Sequence, residues 1–185
     1  LYSIFAYAPL EVMLPAYVDD VLDAGSGVLG TIWTFFAVGS FLGSLLWVKL
    51  GKKLPYSFSL GGVMLLWGLA PVSFSYVTSE WVVFAIMFLG GVVYAPYNIV
   101  SPTLQQTLVP NSLRGRVVGV YGLIAGLGFP IGVYLGGVVG ELLGVSETIL
   151  LSGLLTVGLG LLVMLNPVLR FKQTSVLPAD NQKSM

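Results

Sequence analysis

Residues 81–113 read WVVFAIMFLGGVVYAPYNIVSPTLQQTLVPNSL, without one Asp, Glu, Lys or Arg. A helix needs about 20 predominantly apolar residues to cross the hydrocarbon core of a bilayer. This stretch is long enough for one crossing and a loop. The pattern repeats in both directions along the chain. Residues 24–48, 54–79, 117–140 and 148–169 are also free of charge, and residues 1–18 are interrupted only by Glu11. The expected fold class is an all-α membrane protein with six transmembrane helices.

Composition agrees. Of 185 residues, 56% are hydrophobic and 9% charged, against about 25% charged in a soluble domain. The chain has no cysteine and no histidine, which excludes disulfides, thiolate or imidazole metal sites and His-based catalysis. Lys and Arg together number 8, as do Asp and Glu, so no basic excess suggests nucleic acid. Neither a Walker motif nor any other phosphate loop is present. No enzyme activity, metal or other cofactor is expected. The chain begins at Leu1 inside an apolar run, as expected for the C-terminal part of a longer protein with no signal peptide in view.

The charges sort by connection. Lys49, Lys52 and Lys53 follow span 2, Arg114 and Arg116 lie between spans 4 and 5, and Arg170, Lys172 and Lys183 follow span 6. The alternate connections hold Asp19, Asp20, Asp23, Glu80, Glu141 and Glu147 without Lys or Arg. The positive-inside rule assigns the basic loops and the C-terminus to the cytoplasm of a multi-pass protein of the cell membrane. Residues 1–169 form the expected helical bundle and 170–185 a polar cytoplasmic tail. Pro55, Ser79-Glu80 and Ser146-Glu147 read as helix starts, and Pro110-Asn111-Ser112 as the break between spans 4 and 5. Trp47 and Trp81 suit interfacial anchors.

Spans 1 and 4 share a motif. Tyr7-Ala8-Pro9 with Pro15 and Tyr94-Ala95-Pro96 with Pro102 stand 87 positions apart. The same offset lays span 2 on span 5 and span 3 on span 6. Three spans is an odd number, so the second triplet is inverted, giving a 3+3 inverted repeat of the kind used by secondary transporters. Glu11 then lies about 6 Å to the outer side of the midplane and Asn98 about 7 Å to the inner side, at 1.5 Å per residue. Symmetry relates the two without direct contact.

Glu11 is the ionisable residue inside a span, where a charge costs roughly 2.5–3.5 kcal/mol on insertion scales. With Ser3 and Tyr7 it forms a polar stripe at helical spacing. It reads either as a protonatable or cation-binding group, or as a structural carboxyl bonded to a neighbouring helix. On span 4, Tyr94, Asn98, Ser101 and Gln105 share a face, with Tyr97 and Gln106 beside it. They suit a cavity wall for a small-molecule substrate, or interhelical hydrogen bonding. Gly128, Gly132, Gly136, Gly140 and Gly144 recur every fourth residue with Pro130 between them, and Gly115–Gly119 and Gly122–Gly126 repeat the spacing. This is a helix-packing signal. Span 6, rich in Leu, Val and Gly, is expected to be a lipid-facing scaffold.

These features resemble the C-terminal half of a major facilitator superfamily transporter. Val109-Pro110 followed by Arg114-Gly115-Arg116 and Gly119 is similar to the loop before that family's eleventh helix. Lys49-Leu50-Gly51-Lys52-Lys53 resembles the end of its cytoplasmic loop motif, with Val48 where the motif has Asp. Gly126, Gly128, Pro130 and Gly132 are loosely similar to its Gly-Pro antiporter motif, at a different spacing. The start Tyr-Ala-Pro-Leu-Glu with Leu14-Pro15 looks most like macrolide- and siderophore-type exporters. The resemblance implies half of a twelve-helix transporter whose partners are the lipid bilayer, a small-molecule substrate and a missing N-terminal six-helix half. Spans 1, 2, 4 and 5 would line its centre. It implies proton-coupled efflux of amphipathic small molecules by alternating access, with Glu11 exchanging the proton. The alternatives are a metabolite importer or facilitator in which Glu11 is structural, and a non-transporting membrane scaffold.

Overall fold

The computed structural model describes residues 7–50 and 55–166. Ser3, Lys52, Lys53, Arg170, Lys172, Lys183 and the expected tail at 170–185 lie outside the described residues. Six helices follow one another: α1 (Ala8–Asp20), α2 (Ser26–Leu50), α3 (Tyr56–Phe74), α4 (Glu80–Leu108), α5 (Asn111–Leu143) and α6 (Val145–Leu165). Among the described residues there is no strand. Helices α2 to α6 are long and apolar enough to cross a membrane. The described part of α1 spans about 20 Å at 1.5 Å per residue, and the remainder of the first apolar run precedes it.

Helix boundaries follow local chemistry, and two differ from expectation. Helix α5 starts at Asn111, so Arg114 and Arg116 lie in its first two turns and not in a loop. The Pro110 carbonyl accepts hydrogen bonds from the Leu113 and Arg114 amides, which lets the helix begin at once. Ser146 lies inside the first turn of α6 and does not cap it. Gly144 holds that position at φ 100°, a backbone region that glycine adopts without steric cost. Its carbonyl receives both the amide and the hydroxyl of Thr148. Ser79 precedes α4 without a side-chain cap, and its carbonyl accepts from the Val82 and Val83 amides.

Glycines decide how the helices pair. The most extensive contacts are α3 with α6 and α2 with α4. Along α2, Gly39 abuts the Phe88 backbone and Gly43 the Val92 backbone, while Gly91 abuts Phe36 and Ser40. Residue numbers rise together, so α2 and α4 run parallel. In α3, Gly61 faces Gly160 and Met164, and Gly68 faces Gly153 and Val157. Here the numbers run in opposite directions, so α3 and α6 are antiparallel. Helix α1 meets α5 in parallel, with Pro9 at Gly136 and Met13 at Gly140. Close glycine contacts, read from the sequence on span 5, are spread over three helix pairs. Gly115, Gly119, Gly122 and Gly126 have nothing among the described residues within 4 Å of the place a Cβ would occupy.

Span 6 is not simply a scaffold facing lipid. One side of α6 buries Ile149, Ser152, Gly153, Thr156 and Gly160, and the other exposes Leu154, Leu155 and Leu162. The densest core gathers at one end of the bundle around Leu14, Tyr17, Ile32, Phe74, Val83, Met87 and Ile149. Tyr17 is fully buried. Its hydroxyl donates to the carbonyls of Phe74 (3.0 Å) and Val77 (2.6 Å), and its ring stacks on Phe74. These bonds tie the end of α1 to the turn between α3 and α4, and Ser75 Oγ donates to the Ser146 carbonyl at the start of α6. Asp19, Asp20, Asp23, Glu80, Glu141 and Glu147 therefore share one end of the bundle, while Lys49 at the end of α2 and Arg114 and Arg116 at the start of α5 occupy the other.

Candidate substrate cavity and proton site

The site is built from α1 and α4, with α2, α3 and α5 behind and beside them. Pro9 stands in the first turn of α1, where its missing N–H leaves no intrahelical bond unmade, whereas Pro15 in α1 and Pro96 in α4 remove donors inside their helices, a break tolerated in membranes where neighbouring groups or water satisfy the freed carbonyls. Near Pro102, the Thr103 hydroxyl donates to the Ile99 carbonyl and the Thr107 hydroxyl to that of Thr103.

Tyr7 stands one turn before Glu11, and its hydroxyl donates a hydrogen bond to the Glu11 carboxylate. Glu11 is half-buried. The Tyr7 ring also lies near Phe129 of α5, with centroids 6.3 Å apart, and its hydroxyl is within electrostatic reach of Tyr94. Asn98 is exposed, and Ser101 and Gln105 are half-buried further along α4.

Behind Tyr94 lies an aromatic layer that sequence reasoning did not single out. Trp67 of α3, 2% exposed, is 5.3 Å from Tyr94 and 5.2 Å from Phe36 of α2 between ring centroids. Phe36 in turn packs on Trp33. Gly90 makes room for this layer, because a Cβ there would stand 2.7 Å from the indole. Tyr97 packs on Tyr94 at 5.3 Å and shares a side-chain hydrogen bond with Tyr121 of α5. Tyr121 escaped the sequence reading because it sits in a segment dominated by glycine spacing. The available signal was a hydroxyl-bearing aromatic within an otherwise apolar span.

Of the packing residues expected on α5, Gly128, Gly132 and Gly136 are buried, and Pro130 is exposed. Toward the basic end, Arg114 Nη2 donates to the Gln106 carbonyl at 2.8 Å. A cation at a helix C-terminus satisfies carbonyls that lack intrahelical donors and complements the helix dipole. Among the described residues no group of three acids comes together as a metal site. A carboxylate held by a phenol can take up a proton or pair with a cation.

Apolar crossing helices with charge sorted to opposite ends define a polytopic helical membrane protein. Residues 1–182 match the family model of the Major Facilitator Superfamily. The chain belongs to that superfamily, a family of transporters and not enzymes. It is 27% identical over 165 residues to the multidrug efflux pump Tap of Mycolicibacterium fortuitum, covering 89% of this chain and 40% of that protein. It is 30% identical over 165 residues to the multidrug efflux pump Tap of Mycobacterium tuberculosis (strain ATCC 25618 / H37Rv), with 89% and 39% covered. The chain therefore spans about 40% of the length of these relatives.

Proposed function

We propose that this chain is the C-terminal six-helix half of a twelve-helix secondary transporter that expels amphipathic small molecules in exchange for protons. The observation that carries the reading is Glu11, a half-buried carboxylate inside an apolar helix, bonded by Tyr7, which lies within electrostatic reach of Tyr94. A charge at that depth is costly in hydrocarbon, so it belongs to a hydrated cavity that a solute and a proton can share. The efflux activity named for the relatives supports export over uptake. Their greater length supports a missing half.

Pairing symmetry supports a 3+3 inverted repeat and, with it, alternating access. Exchanging α1 with α4, α2 with α5 and α3 with α6 turns the parallel α2–α4 contact into the parallel α1–α5 contact. It turns α3–α4 into α6–α1, both of which occur, and leaves α3–α6 in place. The basic end, with Lys49, Arg114 and Arg116, faces the cytoplasm of the cell membrane, and the C-terminus lies on that side.

The test uses the full-length protein in proteoliposomes. Glu11→Gln keeps shape and most hydrogen bonding but cannot release a proton. It is expected to abolish proton-driven accumulation of ethidium while downhill exchange survives. Uphill transport at the wild-type rate with unchanged pH dependence would make the carboxyl structural.

A further inference from the structure

Helices α5 and α6 are joined through Gly144 alone, yet α6 packs far more extensively on α3 than on α5. Below that junction the two helices part and leave a slot of about 310 Å³. Gly136 and Val139 line it from α5, Leu151 and Leu155 from α6, and Pro9 of α1 forms its floor. The floor is tight, since a Cβ at Gly136 would stand 2.8 Å from the Pro9 Cα. The slot runs from Thr148 to Leu155, about 6–17 Å below Gly144 at 1.5 Å per residue. That is hydrocarbon depth, in the half of the bilayer at the acidic end. Its two hydroxyl protons are already spent within α6. Thr148 Oγ1 donates to the Gly144 carbonyl at 2.7 Å, and Ser152 Oγ to the Ile149 carbonyl at 2.8 Å.

Shape and charge select the occupant. The volume spread over that length leaves a cross-section of about 30 Å², room for one extended hydrocarbon chain and too narrow for a helix about 10 Å across. A helix of a second copy or of a missing half therefore does not fit. Leu151, Leu155 and Leu162 form one exposed stripe along α6, at the spacing of a single helix face, so the slot opens onto lipid. At its mouth Glu147, the residue before Thr148, is exposed, and its carboxylate oxygen would stand 2.9 Å from a Cβ at Gly144. Glu141, in the last turn of α5, is exposed as well. Among the described residues this end carries acids and no Lys or Arg. We propose that the slot seats one acyl chain of a membrane lipid, whose headgroup ammonium pairs with Glu147 and Glu141.

Inside a bilayer, helix and lipid surfaces are equally apolar, so hydrophobicity gives a chain no reason to prefer the slot. Close contact on three sides does, because a gap beside Val139 and Leu151 forfeits dispersion attraction that a seated chain restores. The headgroup then sets which lipid stays. An ammonium meets the two carboxylates, whereas an anionic headgroup is repelled by them. A seated chain also fills the space between α5 and α6, so it holds together two helices that touch little on their own. Such a lipid binds only the folded bundle and raises its stability by mass action. Binding there involves neither Glu11 nor the tyrosines around it.

The experiment uses full-length protein in detergent, mixed with equal amounts of phosphatidylethanolamine and phosphatidylglycerol bearing the same acyl chains. Native mass spectrometry counts the lipid each copy retains. Wild type is expected to hold one phosphatidylethanolamine in preference to phosphatidylglycerol. Leu151→Trp and Val139→Phe place side-chain bulk in the slot and should each cut that retention about fivefold or more, because a filled space admits no chain. Leu162→Trp, on the same stripe of α6 but outside the slot, should retain lipid as wild type does. Glu147→Gln should lower the preference for phosphatidylethanolamine about two- to fivefold, the scale of an exposed ion pair. Leu151 is exposed, so Leu151→Trp keeps the slot testable if Val139→Phe fails to fold, and Glu147→Gln adds no bulk at all. Equal retention of the two lipids by wild type, or undiminished retention in Leu151→Trp, overturns the proposal and leaves lipid coating the surface at large. Displacement of the lipid by ethidium overturns it too, and gives the slot to the transported solute.

Discussion

Two glycines on α6 separate packing from spacing. Gly160 lies against α3, where an added Cβ would stand 2.5 Å from the Leu65 amide nitrogen and 2.9 Å from both the Leu65 Cα and the Gly61 carbonyl oxygen. Ordinary contacts between such atoms are about 3.5–4.0 Å. Gly160→Ala therefore requires α3 and α6 to part by roughly 1 Å, and all three opposing atoms are backbone that cannot rotate aside. Overpacking of this kind costs about 1–3 kcal/mol, and the backbone obstruction puts Gly160 at the upper end. Replacing a helical glycine by alanine returns about 0.5–1 kcal/mol. The net loss is about 2 kcal/mol. Gly158, two residues earlier, has nothing among the described residues within 4 Å of its Cβ position. Gly158→Ala therefore leaves only the gain. Thermal unfolding of the full-length protein in detergent, followed by tryptophan fluorescence, should show Gly160→Ala melting below wild type and Gly158→Ala at or above it. Equal shifts in the two variants would refute the assignment of the α3–α6 interface.

Tyr17→Phe removes the donor to two carbonyls, and at about 0.5–1.5 kcal/mol per hydrogen bond it should destabilise the bundle by roughly 1–3 kcal/mol in the same assay. Unchanged melting would mean that water replaces the hydroxyl. Single cysteines at Asp20 and Lys49 should label from opposite sides of the membrane with an impermeant maleimide, and labelling from one side would sink the alternating topology. Asn98→Ala should weaken binding of ethidium about threefold to tenfold, the loss of one hydrogen bond, while leaving proton coupling intact. Unaltered affinity would remove Asn98 from the cavity wall.

Crossing helices were legible in the sequence because hydrocarbon imposes one condition on every residue of a span: about 20 apolar positions in a row. Charge-free runs meet that condition without reference to any neighbour. Sorting of Lys and Arg against Asp and Glu is equally local, so the two charged ends could be read before the helices were paired. Glu11 was legible by contrast, since one carboxylate in an apolar run needs a reason. Helix pairing was not, because a glycine every fourth residue marks a face that can be approached without naming the helix that approaches it. The stripe at Gly128–Gly140 was visible, yet Gly39, Gly43, Gly61, Gly91 and Gly160 make closer approaches than Gly136 and Gly140, at less regular spacing. Nor could spacing reveal that Tyr7 comes within electrostatic reach of Tyr94, or that Tyr97 reaches Tyr121 across to α5. Those contacts depend on where three helices cross, and interhelical packing sets the crossing. The sequence by itself determined that the chain has helices long and apolar enough to cross a membrane, and that its charges sort between alternate connections. Only the tertiary structure decided which faces meet, because hydrophobicity is a property of each residue and contact is a property of pairs.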